Sequence, residues 1–203
     1  MKKSCIMLFL SIFMLSACNI FAQKLKSGDV SMLKGQTILN LQYDYSNMAV
    51  GKYKNEKEYV ANRTEDMNKK QPGSGDQWAA SWVNDRKERF QPMFEKNFNA
   101  KLEDAGVTAK ENTPDAKYTL VLHTVFTEPG FNVGVTRKNA YIDMMVDVVE
   151  TASPDKILAS IEMKGLQSVF MMGYDYDTGG RIQSCYDRAG DYLGKFLVKN
   201  AFK

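Results

Sequence analysis

Hydrophobic and polar positions along the chain fall into runs of three kinds, each predicting a different element. From Thr37 to Tyr45 the alternation has period two. Leu39, Leu41, Tyr43 and Tyr45 fall on one face, and Ile38, Asn40, Gln42 and Asp44 on the other. Successive strand side chains point to opposite faces, so this run predicts a half-buried strand. Tyr118 to Phe126 predicts a second, with Val121 and Val125 on one face and Leu120, Leu122 and Phe126 on the other. Apolar residues on both faces place it centrally in a sheet. Ala140 to Glu150 predicts a third strand, with Ile142, Met144, Val146 and Val148 inward and Asp143, Met145 and Asp147 outward. Ile157 to Lys164 predicts a fourth, with Ile157, Ala159, Ile161 and Met163 inward and Ser160, Glu162 and Lys164 outward. The short connector Ala152-Ser153-Pro154-Asp155 implies an antiparallel hairpin between the last two.

Runs of the second kind carry helical spacing. Trp78, Trp82, Val83, Phe90, Met93, Phe94, Phe98 and Leu102 recur at three- and four-residue steps. Asp76 is the expected N-cap and Gly106 the expected stop. Pro92 removes a backbone donor inside this run, so the helix should kink or restart near Gln91. Arg181 to Asn200 predicts a final helix, with Ile182, Cys185, Tyr186, Ala189, Leu193, Phe196 and Leu197 along one side. Asn55 to Lys70 has only a thin stripe, Tyr59, Val60, Arg63 and Met67, and predicts a surface helix ended by Gln71-Pro72-Gly73-Ser74-Gly75. Val107 to Lys117 reads as a polar connector. The order strand, helices, three strands, helix predicts an α+β two-layer sandwich. Its small, mainly antiparallel sheet of about four strands packs against two main amphipathic helices, with the Asn55 to Lys70 helix as an extra surface piece.

The third kind is a single unbroken apolar run at the start. Lys2 and Lys3 precede Cys5 to Leu15, which is apolar except for Ser11, and small residues follow at Ser16, Ala17 and Ala22. That is the layout of a secretory signal peptide. The run is too short for a membrane-spanning helix, which takes about 20 residues. Two cleavages fit. Leu15-Ser16-Ala17-Cys18 matches a bacterial lipobox, which makes 1–17 the leader and Cys18 a lipidated first residue. Cleavage after Ala22 makes 1–22 the leader and Gln23 the first residue. The polar stretch 23–36 then reads as a tether and 37–203 as one α+β domain.

Processing changes the charge and cysteine counts. The full chain of 203 residues has 27 Lys and Arg, 24 Asp and Glu and a formal charge of +3. Lys2 and Lys3 leave with the leader, so 25 basic and 24 acidic side chains remain. A nearly neutral chain lacks the concentrated basic face that nucleic-acid binding requires. Membrane attachment is expected only through a lipid on Cys18. Cys185 remains as the lone thiol, which leaves no intrachain disulfide in the mature chain.

Catalytic and metal chemistry find little to work with. His123 is the only histidine, and zinc sites draw on several Cys and His ligands, so it reads as structural. No Gly-x-Ser-x-Gly elbow is present. Cys185 lies on an apolar helix face, where a free thiol behaves as a small hydrophobe. Asp143, Asp147 and Glu162 are the outward charges of alternating strands, although paired acids are also a glycosidase's equipment. In Asp175-Tyr176-Asp177-Thr178-Gly179-Gly180 alternating carboxylates precede glycine as in part of a calcium loop, but the remaining ligands do not follow. Asp177 or Thr178 as a helix N-cap uses the same oxygens. No catalytic residue, metal or cofactor is therefore expected. If a small ligand such as a glycan or metal ion binds, its contacts are expected at Trp82, Tyr174, Asp175, Tyr176 and Asp177. Against this, Trp78 and Trp82 continue the core stripe of the long helix.

The lipobox-like leader, the early strand, the long helix ending near Leu102-Gly106, the meander from Tyr118-Thr119-Leu120-Val121-Leu122 and the closing helix together resemble small envelope lipoproteins. The arrangement is similar to TolB N-terminal-like and curli-secretion-lipoprotein-like domains, and the Phe21-Ala22-Gln23 leader end resembles secreted proteins of Bacteroidota. The resemblance is one of topology and carries over no site residue. It implies a noncatalytic role in envelope assembly with an envelope protein as partner, for which an exposed sheet edge is one route.

Overall fold

The computed structural model describes residues 23–133, 136–169 and 177–203. The fold is α+β. Its main sheet has strand order β1 (Gln23–Gly28), β9 (Ser153–Gln167), β8 (Tyr141–Glu150), β5 (Tyr118–Glu128), β2 (Ile38–Asp44), β4 (Thr108–Glu111), with β3 (Ala49–Val50) also on β5. Seven strands stand where about four were expected. The additions are short or marginal. β3 has two residues, β4 four, and β1 half-buries only Gln23 and Leu25. Such strands are too brief to establish a period. Gln23 to Gly28, expected as tether, is thus an antiparallel edge strand on β9, with a bulge between Leu25 and Ser27.

The expected hairpin of β8 and β9 is antiparallel, but β2 runs parallel to β5 and to β4, so the sheet is mixed. The reason is connectivity. Between β2 and β4 the chain runs through α1 (Glu56–Lys70), α2 (Ser74–Asp85) and α3 (Gln91–Leu102), and a helical crossover returns the chain parallel. A separate ribbon, β6 (Phe131–Val133) with β7 (Thr136–Lys138), joins β5 to β8.

Pro92 acts as its chemistry requires. A π-helical turn, Arg86–Phe90, ends α2, and α3 begins at Gln91 with Pro92 in its first turn. The wider turn absorbs the hydrogen bond that Pro92 cannot donate. Asp76 is not the cap of α2. Gly73 is, in a left-handed conformation at φ 81°, and Asp76 instead accepts from the Asn68 side chain of α1.

One face of the sheet is covered by α3 and α4 (Thr178–Leu197). Leu120, Leu122 and Thr124 of β5 stand opposite Val148, Val146 and Met144 of β8, all buried. Phe94, Phe98, Cys185, Ala189 and Leu193 close this core from the helical side at full burial. Thr124 and Tyr186 share a 2.6 Å hydroxyl hydrogen bond inside it, and Phe90 stacks on Tyr186 at 5.1 Å. Helices α3 and α4 approach closely because Gly190 and Gly194 face α3. A Cβ on Gly190 would lie 2.4 Å from the Phe94 carbonyl oxygen, and one on Gly194 2.5 Å from Lys101 Cβ.

Two assignments of residues to sheet faces fail at bulges, that of Phe126 with Leu120 and Leu122 and that of Ile157 inward. The irregularity between Thr124 and Phe126 leaves Val125 exposed and turns Phe126 to the other face, where it stacks on Tyr141 at 5.3 Å. Shifts in the β8–β9 register beyond Val148 leave Ile157 exposed at 55%. No helix among the described residues is long and apolar enough to cross a membrane.

Candidate functional site

A recess of about 360 Å³ opens where the α1–α2 pair meets the β3 turn and the end of β5. Three rings from three elements line it: Tyr53 after β3, Tyr59 on α1 and Trp78 on α2. Tyr53 and Tyr59 lie 5.7 Å apart at 60°, and Tyr59 and Trp78 5.7 Å apart at 77°. The rings therefore meet tilted and edge to face, giving a puckered apolar wall. Asn55 orients α1 by accepting from the Glu58 N–H at 2.9 Å, and Gly75 lets α2 approach, since a Cβ there would sit 2.1 Å from the Thr64 carbonyl oxygen. Burial pushes the Tyr59 hydroxyl pKa up, so the ring stays neutral at physiological pH.

Two cations stand over this wall. The Lys52 ammonium lies 5.3 Å from the Tyr53 ring centre and the Arg63 guanidinium 6.0 Å from that of Trp78. Both side chains are exposed, and neither is in a salt bridge with a described residue. Asp66, also exposed, adds a carboxylate to the lining. Glu128 contributes a second, already held by Lys138 at 2.6 Å and by the Gly130 N–H at 3.1 Å.

The opposite wall is the Pro129-Gly130 turn, and Arg181 of α4 holds it. Arg181 is 5% exposed. Its Nε donates to the Pro129 carbonyl at 3.1 Å, and Nη2 to the Gly130 carbonyl at 3.3 Å and to Thr178 Oγ1 at 2.9 Å. A buried arginine bound to backbone carbonyls fixes the turn rather than offering charge to a ligand.

Trp82, expected as a ligand contact, does not line the recess. It is buried behind the rings, 5.1 Å from Tyr59 and 5.7 Å from Trp78, and its indole N–H donates to Glu56. Glu56 also binds Arg86, whose guanidinium lies 4.2 Å from the Tyr45 ring centre. Asp177 caps α4, as its alternative reading had it. One carboxylate oxygen accepts the Gly179 N–H at 3.0 Å, the other the Gly180 N–H at 3.2 Å, and Arg89 pairs with it. Burial raises the Asp177 pKa, but Arg89 and the two amides outweigh it and hold the carboxyl below its usual range. Cys18, Tyr174, Asp175 and Tyr176 lie outside the described residues.

The sheet face turned away from the helices carries a second constellation. His123 Nδ1 lies 2.7 Å from Asp44 Oδ2, and Nε2 lies 3.4 Å from Asp147 Oδ2. An ionised carboxylate only accepts, so the Nδ1 proton points to Asp44. Ser160 donates its hydroxyl proton to Asp147 rather than to the imidazole. The row Asp44–His123–Asp147–Ser160 thus crosses β2, β5, β8 and β9 without the serine–imidazole contact that activates a nucleophile. Cys185 offers no alternative, because its thiol is buried and burial pushes its pKa far above the usual value.

Sequence reasoning missed Lys52, Tyr53, Tyr59, Arg63 and Trp78 as one site. The available signal was Tyr59 and Arg63 one turn apart on a helix whose stripe is too thin to be core, facing Trp78 across a three-residue break.

No protein-family model matches the chain, and no curated protein matches it. Among solved structures it is similar to a PelC dodecamer from Paraburkholderia phytofirmans, with TM-score 0.38 and 8% identity over 84% of this chain and 96% of that one. A PelC dodecamer carrying one substitution, from the same organism, gives TM-score 0.37 and 12% identity over 89% of this chain and 98% of that one.

Proposed function

We propose that this chain is a noncatalytic, exported binding protein of the cell envelope whose ligand site is the recess of Tyr53, Tyr59 and Trp78. One observation carries the reading: three half-buried rings from separate elements, Tyr59 and Trp78 backed by the core through Trp82, converge on an open, preformed cavity. Its volume of about 360 Å³ falls within the range of small-molecule sites. Export rests on the leader, with Cys18 or the Ala22–Gln23 bond deciding whether the mature protein keeps a lipid.

The test is a thermal-shift screen of the purified protein against sugars, nucleotides, amines and short peptides. At least one class is expected to raise the melting temperature of the wild type and not of Trp78→Ala or Tyr59→Ala. A wild type that responds to no class, or variants that respond equally, would remove the recess as the ligand site.

The assembly reading keeps an observation of its own. The face bearing His123 is partly solvent-exposed and mixed in charge, with Asp44, Asp143, Asp147 and Glu162 beside Lys24, Lys26, Lys110 and Lys164. A polar surface of interleaved charge on an envelope protein is its complement. Strand addition at the β1 edge is disfavoured, because β1 is bulged and carries Lys24 and Lys26, devices that blunt a sheet edge. In-cell cross-linking should place the partner on Asp143, Asp147 or Glu162. A complex that survives charge reversal of all three rules this face out.

A further inference from the structure

We infer that the ligand of the aromatic recess is an acidic saccharide, a sugar bearing a carboxylate. The inference rests on the recess being the ligand site and names what enters it. The rings, Asp66 and the two cations each match one part of such a molecule, while Glu128, the other carboxylate of the lining, is already held by Lys138 and the Gly130 amide. The C–H faces of a pyranose are apolar and puckered, and the wall of Tyr53, Tyr59 and Trp78 is apolar and puckered too, its rings tilted by 60° and 77°. Asp66 is an exposed acceptor for ring hydroxyls. Lys52 and Arg63 are exposed donors beside the rings, with no carboxylate of the described chain on them. A ligand carboxylate supplies the missing partner.

Two rival chemistries fit less well. A cationic ligand would seek the ring faces, but Lys52 and Arg63 already stand over Tyr53 and Trp78 and would repel it. Lys52 and Arg63 could meet a nucleotide's phosphate, but its base stacks best in a parallel slot and its phosphate gains from free amide donors. Tyr59 is parallel to neither Tyr53 nor Trp78. The helix N-terminus beside it, at Thr178, has its Gly179 and Gly180 amides already taken by Asp177.

The experiment is calorimetric titration of the full protein with uronic-acid disaccharides of the gluco, galacto and manno series, each against its neutral hexose counterpart and against ATP. The acid form of at least one series is expected to bind about tenfold more tightly than its neutral partner, two exposed ion pairs each contributing a few-fold. The preference should shrink with added salt. Lys52→Gln with Arg63→Gln should abolish the preference, read as the ratio of acid to neutral affinity on the same variant, and because both side chains are exposed the variant should fold. Equal binding of acid and neutral sugars overturns the acidic assignment and leaves the recess as a sugar site. Binding of ATP with no sugar bound overturns the saccharide assignment while keeping the recess. If nothing binds in either this titration or the wider screen, both readings fall.

Discussion

The two faces of β5 share one backbone and one alternation, yet they end in opposite chemistry. Leu120, Leu122 and Thr124 point into the helical layer, where the two leucines are fully buried and even the threonine hydroxyl finds its partner in Tyr186. Thr119, Val121 and His123 point the other way, and His123 ends between two carboxylates at 31% side-chain exposure. The first face is bound by packing and tolerates little change. The second is held by hydrogen bonds on a surface that water still reaches. Among the described residues, the covered face leaves no room for binding chemistry, whereas the open face and the ends of the helical layer, where the aromatic recess lies, leave it.

The sharpest way to break this contrast is to remove equal bulk from each face. Leu122→Ala should cost about 2–5 kcal/mol, the range for large-to-small changes in a closed core. Met145→Ala, on the half-exposed face, should cost less than about 1 kcal/mol. Urea denaturation of both variants measures the difference, and similar costs would mean that the open face is as tightly packed as the other. Adding bulk is the complementary test. Gly190→Val places its Cβ against the Phe94 carbonyl oxygen, which is backbone and cannot rotate away. Overpacking of this kind costs about 1–3 kcal/mol, and the upper end is expected because α3 as a whole must shift.

The covered face was legible because its signals are redundant. Ile142, Met144, Val146 and Val148 announce themselves by alternation, and all four are buried at 1% exposure or less. Pro92 marked the helix restart because a missing N–H has one local consequence. Edges and bulges were not legible. β4 buries only Ala109, so its four residues look like a polar connector. The bulge that turns Phe126 outward depends on the register of a strand far away in sequence. The recess was hidden for the same reason. Its rings come from three elements whose meeting depends on the helical crossover, and each ring alone resembles core. Gly190 and Gly194 were the overlooked clue, since two glycines four apart on an apolar helix stripe mark a close helix contact.

Where the helical layer meets the recess, Asp177 tests the end of α4. Asp177→Ala removes the cap of two amides and the partner of Arg89. The loss should be about 1 kcal/mol, the usual worth of an N-cap, since the Asp177 side chain is 54% exposed and its ion pair adds little. Asp177→Asn should recover most of it, because an amide oxygen still caps. A variant as destabilised with Asn as with Ala would assign the stability to the charge instead.

The smallest effect expected is also the one that separates the faces by kind. Burial raises the pKa of Asp44, but the Ser46 amide and the His123 ring outweigh it and hold the carboxyl below its ordinary value. A carboxyl lowered in the folded state stabilises while it is ionised, and that contribution is lost as pH falls through the folded pKa. Asn at this position imitates the protonated carboxyl, so Asp44→Asn removes the charge together with one of the two acceptors that serve Ser46 and His123. At pH 5 the variant should be less stable by under about 1 kcal/mol, given the partial exposure of both partners. By about pH 2, below the ordinary Asp pKa of about 3.9, the two proteins should converge. Leu122→Ala, whose cost is packing, should show the same deficit at both pH values. If the Asp44→Asn deficit also stayed constant with pH, the row across the open face would be held by shape, and the two faces would differ in exposure but not in what holds them.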